Sequence, residues 1–277
     1  TPDTNVNFQD TIVWVKWTIE HIGDTISDIT NTDFAVEGYS EYLEGINFDY
    51  DGSLQNVSNL YPIKNVFEDG IVIIPILNGN KTVKVTTELG TDTVTITDST
   101  EAEEQIYYYT HKVSTGETFI SVNISDTSSQ AVLEEFSFKI ICENKFLPVN
   151  IVFKNKFGAF ENIYFFKNKV DKVEIEKANF IGNVSNGITY DTSKHQFKDF
   201  GVQGRKPFTL TSGFVDDRLN ENIKQLLLST TVFIQDDDSL IPVNVKTKSF
   251  DFKTELVDQK VSYDIEFEYA FNLINSM

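Results

Sequence analysis

With 277 residues, 40% of them apolar and 13% aromatic, the chain has material for two ordinary domains or one elaborated β-domain, which excludes global disorder. Val, Ile, Thr, Phe and Tyr dominate while Met is single and Ala rare, so the expected class is all-β. Formal charge is −19, of which residues 1–150 hold −17 (7 Lys+Arg, 24 Asp+Glu) and residues 151–277 hold −2 (16 against 18), so the N-terminal half repels nucleic-acid phosphates and anionic lipid.

In chain order, "DTIVWVKWTIEHIG" (10–23) alternates, with Val13, Val15 and Trp17 on one side and Trp14, Lys16 and Thr18 on the other. It reads as a strand. Residues 24–60 read as irregular and acidic, with Asp51-Gly52 as a turn signal. "DGIVIIPILNGNKTVKVTTE" (69–88) has the pattern of a hairpin, two apolar strands around Asn78-Gly79-Asn80. Further strands are expected near 93–97, 104–113, 117–124 and 132–142. Short strands at this spacing, broken by Gly, Asn, Asp and Ser, predict a sandwich or barrel.

From about residue 147 the chain is richer in Lys and aromatics, so the expected division is an acidic, β-sandwich-like part at 1–146 and a second β-domain at 147–277. "LPVNIVFKNKFGAFENIYFFKNK" (147–169) reads as a hairpin bending near Gly158. "KVEIEKANF" (172–180) follows, then a turn-rich passage through Asn186-Gly187 to "YDTSKHQFKDFGVQGRK" (190–206). One helix is predicted at about 215–228, because Val215, Leu219, Ile223, Leu226 and Leu227 recur at i, i+4, i+8, i+11 and i+12. Asp216 and Asp217 stand at its expected start, where the helix dipole favours negative charge. Such a helix covers one face of a twisted sheet, with Leu219, Ile223, Leu226 and Leu227 set against Phe250, Phe252, Phe267 and Tyr269.

Catalytic signatures are missing from the sequence. His21, His111 and His195 lie far apart without metal spacing, and no nucleophile elbow, P-loop or dinucleotide fingerprint occurs. The single cysteine, Cys142 in "FSFKIICENKF", excludes an intrachain disulfide and reads as a buried thiol. Asp236, Asp237 and Asp238 read as a solvated hairpin tip, with oxygen ligation of calcium as the alternative. "EQIYYYTHK" (104–112) sets Tyr107 and Tyr109 on one face and Tyr108 on the other, either an aromatic strand at an interface or a sugar-binding platform. No cofactor and no enzymatic activity are expected. No signal peptide is recognised, and no run of about 18 apolar residues marks a membrane span.

"SKHQ", "FTLTSGFVDDRLNENIKQLLLSTTVFI" (208–234), "IPVNVKTKSFDFKT" (241–254) and "YDIEFEYAFNLIN" (263–275) follow the aromatic hairpin running from Phe157-Gly158-Ala159 to Phe166. Together they resemble virion structural proteins of tailed bacteriophages, particularly uncharacterised ones from phages of Bacteroidota hosts, over roughly 147–277. The order strand–helix–strand–hairpin–strand is also similar to the ring-forming β-domain of phage tail-tube, distal-tail and baseplate proteins. The N-terminal half matches more loosely, through "EGYSEYLEGINF" (37–48) and the segment 69–88. The resemblance implies a homo-oligomeric tail or baseplate subunit of the virion, joined through sheet edges to copies of itself in a ring around the DNA channel. Its implied partners are neighbouring tail or baseplate proteins and DNA that passes without specific binding, with no membrane contact. The alternatives are a receptor- or carbohydrate-binding virion protein and a neck, stopper or terminator protein.

Overall fold

The computed structural model describes residues 12–19, 29–36, 38–44, 63–77, 81–96, 106–141, 145–185, 187–216, 219–236, 239–249, 251 and 260–274. The first half forms β1 (Ile12–Ile19), β2 (Ile29–Val36), a single 3₁₀ turn at Tyr42–Glu44, β3 (Ile63–Phe67), β4 (Ile71–Leu77), β5 (Lys81–Thr87), β6 (Gly90–Ile96), β7 (Ile106–Lys112), β8 (Phe119–Asp126) and β9 (Val132–Ile141). The second half continues with β10 (Val149–Lys154), β11 (Phe160–Phe165), β12 (Lys169–Asp171), β13 (Glu174–Ile181), β14 (Phe197–Arg205), β15 (Pro207–Thr211) and β16 (Val215–Asp216). Helix α1 (Asn220–Leu228) then leads into β17 (Val232–Asp236), β18 (Ser239–Val245), β19 (Lys260–Val261) and β20 (Asp264–Tyr269). The fold is all-β, with one α-helix among the described residues.

Strands β1 and β2 pair antiparallel as a ribbon, so residues 29–36 are extended where the sequence reads as irregular. "ITNTDFAV" has no apolar alternation; its backbone pairing with β1 makes it a strand. The hairpin expected at 69–88 does not form. β4 pairs with β7, placing Ile71 opposite Lys112 and Leu77 opposite Ile106, whereas β5 pairs with β6 and β8. The two strands therefore belong to different sheets, one of order β3-β9-β8-β5-β6 and one of β4-β7. Val66, Ile74, Ile76, Val83, Val85, Val122, Phe136 and Phe138 fill the core these sheets enclose. Asn78-Gly79-Asn80 lies outside the described residues, and a turn signal by itself leaves open which strand each arm pairs with.

The C-terminal half is an antiparallel sheet of order β11-β10-β17-β18-β20-β15-β12. β11 and β12 are successive stretches of one chain run. Between them Phe166 N–H donates to the Ser212 carbonyl (3.4 Å) and Lys167 N–H to that of Thr211 (3.1 Å). The two ends of the sheet thus meet along one chain run and the sheet curls into a barrel, in which β11 pairs only with β10 and β12 only with β15. Inside, Phe165 meets Phe267 edge-on at 6.0 Å and Phe208 stacks on Phe267 at 5.5 Å.

The helix is shorter than the expected span. It begins at Asn220, because Val215 and Asp216 pair with Val261 and Lys260 as a short ribbon. That pairing satisfies backbone groups that a helix start would leave without partners. Leu219, Ile223 and Leu226 are buried in the barrel core, Leu227 is half-buried against it, and Val215 enters the same core from its strand. Phe267 and Tyr269 belong to that cluster, while Phe250 and Phe252 lie outside the described residues.

The halves are joined by strands buried on both faces. Ile151, Phe153, Ile163 and Phe165 point into the barrel, whereas Ile73, Val152 and Phe160 pack together between the halves. Tyr164 and Phe166 reach into the N-terminal core. Side chains take over the role of a ladder here: Ile73 N–H donates to Asn162 Oδ1 (3.2 Å), and Asn162 Nδ2 donates to the Ile71 carbonyl (2.7 Å). A Cβ at Gly70 would lie 2.7 Å from the Tyr164 hydroxyl, so only glycine lets the chain pass. Segment 38–44 crosses to the barrel as well, with Tyr39 N–H on the Lys156 carbonyl (2.8 Å) and ion pairs Lys156–Glu44 and Lys224–Glu41.

Candidate assembly surface

β13 and β14 form a two-stranded arm, from Glu174 opposite Arg205 to Ile181 opposite Phe197. Every residue of the two strands except Gly204 is exposed. Glu176 pairs with Gln203 and Ala178 with Phe200, so Gly201 and Val202 together oppose Lys177. Gly201 takes φ +59° at this bulge, a left-handed conformation that suits glycine.

The base of the arm is fixed by charge and by backbone. Arg205 pairs with Glu268 at 3.1 Å, and Lys246 bridges Glu174 (2.9 Å) and Glu268 (3.4 Å). The hydrogen bond to Glu174 holds the Lys246 ammonium above its ordinary pKa. Leu273 N–H donates to the Gly204 carbonyl at 2.7 Å, tying the C-terminal segment to the arm.

Beyond the base both faces of the arm carry exposed apolar side chains, beside Lys198 on one face and Asn179 and Asp199 on the other. Cross-strand pairing sets Ala178, Phe180 and Phe200 on one face and Ile181 and Phe197 on the other. Phe180 and Phe200 meet edge to face at 5.8 Å yet remain 49% and 53% exposed. Ile188 and Tyr190 at the tip are also exposed. Residues 173–205 carry Lys177, Lys194, Lys198 and Arg205 against Glu174, Glu176, Asp191 and Asp199, a formal charge of zero in a chain of −19. The sequence reading misses this element, because the bulge and the glycines of "FKDFGVQGR" break the alternation. The available signal is a pair of aromatic-bearing stretches, Phe180-Ile181 and Phe197–Phe200, on either side of the turn signal Asn186-Gly187.

The tyrosines of β7 are divided among three surroundings. Tyr109 is buried and donates to Asp92 Oδ2 (3.1 Å); burial, then the Asp92 charge, push its pKa up. Tyr108 is half-buried at the junction of the halves and accepts from Phe160 N–H (3.3 Å). Tyr107 alone of the three is exposed. A hollow of ≈ 520 Å³ beside them is lined by Asp69, Asp92, Tyr109, Thr110, His111 and Lys112. His111 Nε2 lies 3.3 Å from Oε2 of the buried Glu117.

Asp236 ends β17 and is exposed, while Asp237, Asp238, Cys142 and His21 lie outside the described residues. His195 is exposed near the arm tip. Among the described residues no group of three or more His, Cys, Asp and Glu is placed to hold a metal ion, and no helix is long and apolar enough to cross a membrane. Compared with models of protein families, with curated proteins and with solved structures, the chain matches none.

Proposed function

We propose that the chain is a structural subunit of a tailed-phage virion, a ring-forming tail or baseplate component of the distal-tail kind, with no chemistry of its own. The sequence resemblance supplies the virion context. The observation that carries assembly is the arm: of zero formal charge in an acidic protein, with Phe and Ile side chains exposed on both faces. Burying one such Phe or Ile side chain contributes about 1.5–3 kcal/mol. Among the described residues β13 and β14 pair only with each other, so each has an open edge for strand addition. DNA passes through the ring, and the −17 of the N-terminal half keeps it from adhering. Sugar binding through β7 lacks a platform, because Tyr108 and Tyr109 are engaged inside the molecule.

Negative-stain electron microscopy of the concentrated chain tests this proposal. Annular particles are expected, and Phe180→Ser/Phe200→Ser should abolish them while leaving the melting transition in place. A wild-type chain that stays monomeric at high concentration would overturn it.

A further inference from the structure

The arm is an outgrowth of the barrel wall. Asp171 of β12 faces Phe208 of β15, and Glu174 faces Arg205, so β12–β15 and β13–β14 form one antiparallel ladder in unbroken register. It is parted only at Lys172-Val173 on one run and Lys206 on the other. The ladder is weakened at that neck. Lys172 N–H donates to the Pro207 carbonyl at 2.8 Å, but Pro207 has no N–H to return, so a pair that would otherwise exchange two hydrogen bonds makes one.

Charge holds what the neck leaves loose. Each strand of the arm brings one charge to the base, and each meets the opposite sign on the barrel: Glu174 meets Lys246 at 2.9 Å and Arg205 meets Glu268 at 3.1 Å. Glu174 and Arg205 are half-exposed, whereas the Glu268 side chain is only 10% exposed. Lys246 also lies 3.4 Å from Glu268, a pair made wholly within the barrel. Moving the arm therefore parts two contacts that each have a half-exposed member, and leaves the buried carboxylate still facing an ammonium. Two further ties are slight: Lys172 and Glu266 at 3.8 Å, both partly exposed, and the single backbone bond from half-exposed Leu273 to Gly204.

We infer that Glu174, Arg205, Lys246 and Glu268 form a releasable latch, and that the arm pivots at the Lys172–Pro207 neck when it docks on a neighbouring copy. That the docking partner is a second copy rests on the ring reading. The balance of effects favours release. Ion pairs open to water hold weakly, while Phe180, Ile181, Phe197 and Phe200 each gain in proportion to the apolar area that docking hides.

The test places nitroxide-bearing non-natural amino acids at Thr192, exposed near the arm tip, and at Thr230, exposed after helix α1. Double electron–electron resonance reads the distance between them, with labelled chain diluted into unlabelled chain so that only distances within one copy are seen. Dilute chain at ~0.1 M salt should give one narrow distribution. Glu174→Gln/Arg205→Gln, which spares the Lys246–Glu268 pair, should broaden it about twofold or more. Wild-type chain at ~1 M salt, where the screening length shrinks to ~3 Å, should broaden likewise and needs no variant to fold. In annular particles the distribution should be narrow again and centred at a different distance. An unchanged narrow distribution in the variant and at high salt would overturn the latch, and an equal distance in dilute chain and annular particles would overturn the pivot. Broadening in a chain that never forms annular particles would sink the ring reading while upholding the latch.

Discussion

The hydroxyl of Tyr164 donates to the Ile71 carbonyl at 3.0 Å and accepts from the Ile71 amide at 2.7 Å, between the two halves of the molecule. Burial pushes its pKa from 10.0 up to about 12. A raised folded-state pKa means that the stabilisation is complete below the unfolded value near 10 and is lost as pH rises through about 12. Urea unfolding across that window should therefore show falling stability, with a shallower slope in Tyr164→Phe. Tyr39, also raised to about 12, keeps some slope in the variant. At neutral pH the same substitution should cost about 1–3 kcal/mol, because the Ile71 amide loses its acceptor while the carbonyl keeps Asn162 Nδ2. An unchanged slope would show that Tyr164 ionises freely in the folded state. Of this site, the apolar setting of Tyr164 was legible in "FENIYFF"; its partner Ile71, 93 residues away, was not.

Helix α1 spans nine residues, too short to persist in water by itself, so its stability comes from the stripe it buries. Leu219, Ile223 and Leu226 were legible from spacing alone, whereas the start at Asn220 depended on β19, a strand some forty residues later. Ile223 is fully buried. Ile223→Ala should cost about 2–5 kcal/mol in chemical denaturation, and Ile223→Asp should unfold the barrel by burying an unpaired charge. Normal melting of the Asp variant would show that this face does not hold the barrel together. The arm behaves oppositely. Its exposed apolar residues lie outside both cores, so Phe180→Ser/Phe200→Ser should change monomer stability by no more than about 0.5 kcal/mol.

Among the described residues the molecule has two cores and a shared wall. Tyr164 and Phe166 are supplied by the C-terminal half but pack in the N-terminal core, and Ile73 of the N-terminal half packs with Val152 and Phe160. A chain cut to residues 147–277 would wet Val152, Phe160, Tyr164 and Phe166, each worth about 1.5–3 kcal/mol of burial. Residues 147–277 expressed alone should aggregate, and the full chain should melt in one transition by circular dichroism and by tyrosine fluorescence. A soluble, independently melting fragment would show that the wall is an incidental contact.

Composition and alternation by themselves determined that the chain is β-rich, where most of its strands run, and which stripe of its one described helix is apolar. These are local properties, set by which side chains a pleated or helical backbone can present to a core. Only the tertiary structure decided that β4 leaves β5 for β7, that the C-terminal sheet curls into a barrel, and that Phe180, Ile181, Phe197 and Phe200 stand outside on an arm. An apolar pattern records that a face must be covered; the partner that covers it is chosen by pairing and packing across the whole chain.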